Sequence, residues 1–146
     1  MQTSGTHLWL ILWKAYEAVR AQADCHIHSL GIGFSDFGVL EALLHKGPMP
    51  VNVLGAKVGL TSGSITSLVD RLEAKGLLER QPHPEDGRAR MVHLTPGGRN
   101  LIACAFANHE AAMERATAGL TAEEKGQAAE LLKRLGLYAQ NLKETA

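Results

Sequence analysis

Residues 59–99 read GLTSGSITSLVDRLEAKGLLER, from Gly59 to Arg80, then QPHPEDGRARMVHLTPGGR, from Gln81 to Arg99. In the first half Leu60, Ile65, Leu68, Val69 and Leu72 recur at helical spacing, so one face of a helix is apolar and must be buried. The opposite face carries Gly63, Thr66, Ser67, Asp70 and Ala74. Such small or polar residues let a helix backbone come close to a base-pair edge in a major groove, where hydroxyls donate and accept. Thr61 supplies an N-cap oxygen, and Gly76 supplies the left-handed residue that ends a helix.

The second half reads as a two-stranded ribbon. Leu77 to Gln81 and Arg90 to Leu94 alternate, and the link from Pro82 to Gly87 is turn chemistry that forbids a helix. Upstream, Val53, Leu54 and Val58 mark a short helix closed by Gly59. Gly55 lies inside it at a cost of about 1 kcal/mol, which makes sense if the next helix crosses closely there. Short helix, second helix, hairpin is a winged helix-turn-helix, so the expected fold is mainly α with a small β-hairpin wing.

The stretches GLTSGSITSLVDRLEAKGLLER and PEDGRARMVHLTPGGR resemble the DNA-binding core of the multiple-antibiotic-resistance regulator (MarR) family of bacterial transcription factors. The distinctive piece is Asp86-x-Arg88, then Val92-x-Leu94-Thr95 and a Gly-rich helix start. The resemblance implies a dimeric regulator, most simply a repressor, on a pseudo-palindromic double-stranded operator. Ser62, Gly63, Ser64, Thr66 and Ser67 would contact bases and phosphates through hydroxyls and free amides of the helix start. Arg71, further along, would reach a phosphate or a neighbouring carboxylate. Arg88 matches the family's wing-tip arginine, which enters the minor groove, with Asp86 pinning the turn. Where many relatives carry a basic residue this chain has Gly87, leaving Arg90 to supplement Arg88.

Further out, a helix of about residues 6–29 has Trp9, Leu12, Trp13, Tyr16, Val19, Ala23 and Ile27 in one stripe, too apolar for a lone surface helix. Ser35 is read as the cap of a helix of about residues 36–45 with Phe37, Leu40 and Leu44 inward, and Val51 as a one-pairing strand against the wing. Thr95-Pro96 opens a long helix to about Gly119. Its stripe is Leu101, Ile102, Ala105, His109, Ala112, Met113 and Ala116. The Thr121–Glu124 capping box opens a last helix through Leu131, Leu132, Leu135, Tyr138 and Leu142. One domain over residues 1–146 is expected, with the DNA-binding core at 34–99 and dimerisation helices at 6–30 and 96–144. The resemblance also implies a small aromatic or anionic effector between the first, second and fifth helices, with Trp13, Tyr16, His26 and Phe37 as candidate lining. Aromatics at helical spacing serve equally as core.

Lys plus Arg and Asp plus Glu number 15 each, so the net charge is zero and no broad basic footprint exists. Duplex affinity draws largely on counterion release. A regulator of this composition must use a few well-placed cations and backbone amides. Two cysteines exclude a disulfide framework, and the apolar run His7 to Trp13 is too short and lacks the flanks for a signal or a span, so a cytoplasmic, non-membrane protein is expected. No nucleophile elbow, paired carboxylates or phosphate-cradling loop appears; neither an enzyme nor a bound cofactor is expected. Cys25 and Cys104, and the set His26, His28 and His109, keep open a thiol- or zinc-sensing input, although their spacing is no recognised ligand set and no metal is assigned. The remaining alternative is a winged-helix protein-interaction module that has lost DNA binding.

Overall fold

The computed structural model describes residues 2–143; residue 1 and residues 144–146, the ends of the expected domain, lie outside the described residues. The elements are α1 (Gly5–His28), α2 (Phe34–Lys46), β1 (Met49–Pro50), α3 (Val51–Val58), α4 (Ser62–Ala74), β2 (Leu78–Pro82), β3 (Arg90–Leu94), α5 (Pro96–Ala116) and α6 (Ala122–Lys143). The sheet is antiparallel in the order β1-β3-β2, with Met49 opposite Val92 and Leu78 opposite Leu94. This is the winged helix-turn-helix expected from the periodicities.

Side-chain caps set several helix starts. The Thr61 hydroxyl accepts from the Ser64 N–H at 3.2 Å, Thr95 from Gly98 at 3.0 Å, and Thr121 and Glu124 exchange the two bonds of a capping box. Helix α2 departs from expectation. Its cap is Gly33, not Ser35, because the Asp36 carboxylate reaches back to accept the Gly33 N–H at 2.9 Å. The strand placed at Val51 is instead Met49–Pro50, and Val51 opens α3. Helix α5 ends at Ala116 rather than Gly119.

One cluster joins Ile27 of α1, Phe37, Leu40 and Leu43 of α2, Leu54 of α3, Ile65 and Leu72 of α4, Val92 of the wing and Ile102 of α5. Leu43, not Leu44, is the deeply buried residue near the end of α2. Helix α1 packs along α5, and α4 packs on α3 and β2. Only the second half of the α1 stripe enters this core. Ala23 and Ile27 are buried, whereas Trp9, Leu12, Trp13 and Tyr16 are exposed.

Two glycines mark close approaches. A Cβ on Gly55 would sit 3.0 Å from Ile65 Cγ2, so the missing side chain lets α4 cross α3, as the sequence suggested. At Gly98 an added Cβ would lie 2.0 Å from the Leu77 carbonyl oxygen, where α5 starts against the end of the α4–β2 turn. Backbone cannot yield as a flexible side chain does, so Gly98→Ala is expected to lower the unfolding free energy by about 3 kcal/mol. Nothing lies within 4 Å of a Cβ on Gly63. Gly63→Ala is expected to raise the unfolding free energy by about 0.5–1 kcal/mol through helix propensity. Urea unfolding of the two variants, compared at equal slope, checks both signs.

Candidate nucleic-acid interface

Helix α4 divides along its length into a buried face and a bare one. Ile65, Leu68, Val69 and Leu72 are at most 3% exposed. Ser62, Gly63, Ser64, Thr66, Ser67 and Asp70 are all exposed, as the sequence spacing requires. Hydroxyls in the first turns are partly committed. Thr61 donates to Ser64 Oγ at 3.0 Å, and Thr66 donates to the Ser62 carbonyl at 2.8 Å, which leaves oxygen lone pairs outward. The first amides of α4 and these hydroxyls form a neutral, donor-rich surface suited to phosphate oxygens and base edges.

The wing closes through a chain of local bonds. His83 donates its N–H to the Ala89 carbonyl at 3.1 Å, and its Nδ1 accepts the N–H groups of Glu85 and Asp86 at 3.1 and 3.2 Å. Asp86 Oδ1 then accepts the Arg88 N–H at 3.0 Å, so the carboxylate pins the turn rather than the guanidinium. Among the described residues neither Arg88 nor Arg90 is in an ion pair, and both are exposed. The wing cations are therefore free although Glu85 and Asp86 adjoin them in sequence.

The other cations of the α4–β2 segment are engaged. Arg71 pairs with the buried carboxylate of Asp36, on α2, and not with a sequence neighbour. Arg80 reaches from β2 to Asp70 at 2.6 Å and Glu73 at 3.4 Å, tying the wing to α4. Lys75 Nζ donates to the Gly31 carbonyl at 3.1 Å. Sequence reasoning missed Asp36, Arg80 and His83 as organising residues. For Asp36 the three-residue step back to Gly33 was a legible capping signal. For Arg80 and His83 the partners appear only once the hairpin is folded. Together α4, Arg80, Arg90 and Asn52 border a cleft of about 330 Å³ between the start of α4 and the wing.

With that geometry the chain can be compared with known proteins. A MarR family model matches residues 30–89. The chain is 38% identical to the HTH-type transcriptional regulator MhqR of Bacillus subtilis over 96% of its own length and 97% of that protein's. It is 31% identical to the multiple antibiotic resistance protein MarR of Salmonella typhimurium, over 75% of this chain and 77% of that one. Its fold superimposes on a mutant MarR from E. coli complexed with operator DNA, with a TM-score of 0.80 at 26% identity, covering 88% of this chain and 92% of that chain. The chain belongs to the MarR family. It is a DNA-binding transcriptional regulator and not an enzyme.

The four residues expected to line an effector pocket are dispersed in this MarR-family chain. Trp13 and Tyr16 are exposed on α1, Trp13 stacking on Trp9 at 5.9 Å between ring centroids, and Phe37 is buried against the His109 ring at 5.0 Å. His26 alone of the four borders the cavity of about 500 Å³ between α1 and α5, beside Gln22, Cys25 and Arg115. Its Nε2 faces the Ala105 carbonyl at 3.2 Å. Cys25 and Cys104 are exposed free thiols, and no group of three or more His, Cys, Asp or Glu among the described residues is arranged to hold a metal ion.

His109 sits in the α2–α5 layer among Phe37 and Phe106, its Nδ1 buried without a hydrogen-bond partner among the described residues. Burial, and secondly the nearby His26, hold its pKa below the ordinary 6.5, against the opposing pull of Glu41 and Glu110. The unfolded chain then takes up this proton first as pH falls. The folded state is therefore penalised below pH 6.5, increasingly until the folded pKa is reached. The loss of stability between about pH 7.5 and 5.5 should be smaller in His109→Leu than in the parent, as read by thermal melts across that range.

Proposed function

We propose that the chain acts as a cytoplasmic homodimeric repressor of a pseudo-palindromic operator. The observation that carries this reading is the bare serine- and glycine-rich start of α4 beside a wing whose Arg88 and Arg90 are unpaired. Two copies of α4 enter successive major grooves about 34 Å apart, and the wings set Arg88 into the flanking minor grooves, where narrow grooves concentrate negative potential. Ser62, Ser64, Thr66 and Ser67 read base edges and phosphates, and Arg90 adds a backbone contact. With a net charge of zero, this small set of cations supplies most of the counterion release.

The dimer reading draws support from two uncovered apolar faces. Trp9, Ile11 and Trp13 on α1 and Leu131, Leu137 and Tyr138 on α6 are each about half or more exposed, and no described side chain of α6 is buried. A 22-residue helix with Leu131, Leu132, Leu135 and Tyr138 on it is stable in water only when that face is covered. A second copy of the same two helices covers it symmetrically. Residues 34–99 then read DNA, and the segments 6–30 and 96–144 join the protomers. No described helix is long and apolar enough to cross a membrane.

A small aromatic or anionic effector fits the α1–α5 cavity, where Arg115 and Gln22 offer donors and His26 an imidazole ring. This assigns the input to His26 and Arg115 in place of Trp13, Tyr16 and Phe37. Binding there changes DNA affinity only so far as the ligand favours one spacing of the two readers.

The test is DNA binding by the purified protein to a duplex of about 30 base pairs selected from a randomised pool, at several salt concentrations. Selective, salt-steep binding is expected. Arg88→Ala should weaken it about tenfold and flatten the logarithmic salt dependence by about 2 per dimer. Enrichment of no sequence would retire the reading of a pseudo-palindromic operator.

A further inference from the structure

Asp36 is the one buried charged side chain in the described core, 4% exposed, in the first turn of α2. Burying a carboxylate costs several kcal/mol unless its oxygens are matched. Here both are matched, by different parts of the molecule. Oδ2 accepts the Gly33 N–H at 2.9 Å and caps α2, while Oδ1 accepts from Arg71 Nη2, in the last turn of α4. One turn on, Lys75 donates to the carbonyl of Gly31 in the same α1–α2 loop. The apolar face of α4 rests on α3 and β2, so these two contacts brace the end of the helix from another direction.

We propose that Asp36 and Arg71 are a positioning pair for operator recognition, and that Arg71 is not a phosphate contact. The proposal rests on the DNA-binding function of the chain. Asp36 orients the Arg71 guanidinium through Nη2 and offsets its charge, so the half-exposed side chain attracts a phosphate less than a free arginine would. What the pair fixes is the tilt of α4. A 13-residue helix is about 20 Å long, so a tilt of about 10° at the Arg71 end moves the Ser62 end by about 3 Å. That is the full length of a hydrogen bond, enough to take the serine hydroxyls out of reach of base edges.

Electrostatics alone predicts the opposite sign. Removing a carboxylate from a DNA-binding protein reduces repulsion and should tighten binding. The positioning pair predicts that Asp36→Asn, which keeps an oxygen for the Gly33 N–H but loses the negative charge that faces Arg71, weakens it. The experiment measures affinity for the selected duplex and for a mixed-sequence duplex of equal length, across salt, for Asp36→Asn, Arg71→Ala, Arg71→Lys and the double variant. Far-UV circular dichroism and thermal melts accompany each variant.

Asp36→Asn and Arg71→Ala are each expected to lose about tenfold on the selected duplex, to keep the mixed-sequence affinity, and to keep the parent's salt slope. The double variant should bind no worse than the weaker single one. Arg71→Lys should restore part of the loss, since an ammonium meets one carboxylate oxygen without the rigid fork. If Arg71→Ala does not fold, Arg71→Lys and Asp36→Asn decide the matter on the same readouts. A salt slope shallower by about 0.9 per arginine removed, with affinity lost equally on both duplexes, would make Arg71 a phosphate contact and overturn the proposal. Unchanged or tighter binding by Asp36→Asn would overturn it too. Failure to select any duplex with the parent protein would count against the proposed operator itself, before any variant is made.

Discussion

The structure depends on how completely one face of α4 is removed from water. Ile65, Leu68, Val69 and Leu72 are sealed against α3, the sheet and the α2 layer. Each such burial is worth on the order of 2 kcal/mol. That anchoring lets the other face be populated by Ser62, Gly63, Ser64, Thr66 and Ser67, which contribute little packing and, for the glycine, work against the helix. Gly55 is part of the same constraint: its missing side chain brings α3 close enough for Ile65 to fill the crossing.

Charge is arranged by similar logic. A chain with equal numbers of acids and bases has no general attraction to DNA. Within it, the acids are spent on cations that hold parts together: Asp36 on Arg71, Asp70 and Glu73 on Arg80. Glu85 and Asp86, nearest in sequence to the wing arginines, form no ion pair with them; Asp86 accepts a backbone amide instead. A chain neutral overall still presents unpaired arginines at the wing, because pairing is decided in three dimensions, not by adjacency.

Periodicity and turn chemistry made the fold legible. The Thr61, Thr95 and Thr121 caps, the hairpin and the α3–α4 crossing at Gly55 all follow from local rules and all recur in the structure. What escaped was non-local. Arg80 and Asp70 are ten residues apart, across a turn whose shape sets their distance, and Asp36 and Arg71 are 35 apart. The effector expectation failed to assemble within the protomer for a related reason: helical spacing puts Trp13, Tyr16 and His26 on one helix but cannot say how far along it α5 and α2 cover them. The cover begins near Val19, so the aromatic half of α1 lies outside the core.

Among the described residues the sheet has three strands, and its two outer members are β1 and β2. The first is two residues long and half of it is Pro50, which has no N–H to offer a newcomer. The second ends in Pro82 and carries exposed Glu79 and Gln81 along its length. Short, proline-bearing or polar margins are how β-sheets avoid recruiting stray strands. A protein that presents an exposed hairpin is thereby protected from joining edge to edge, and its wing stays free.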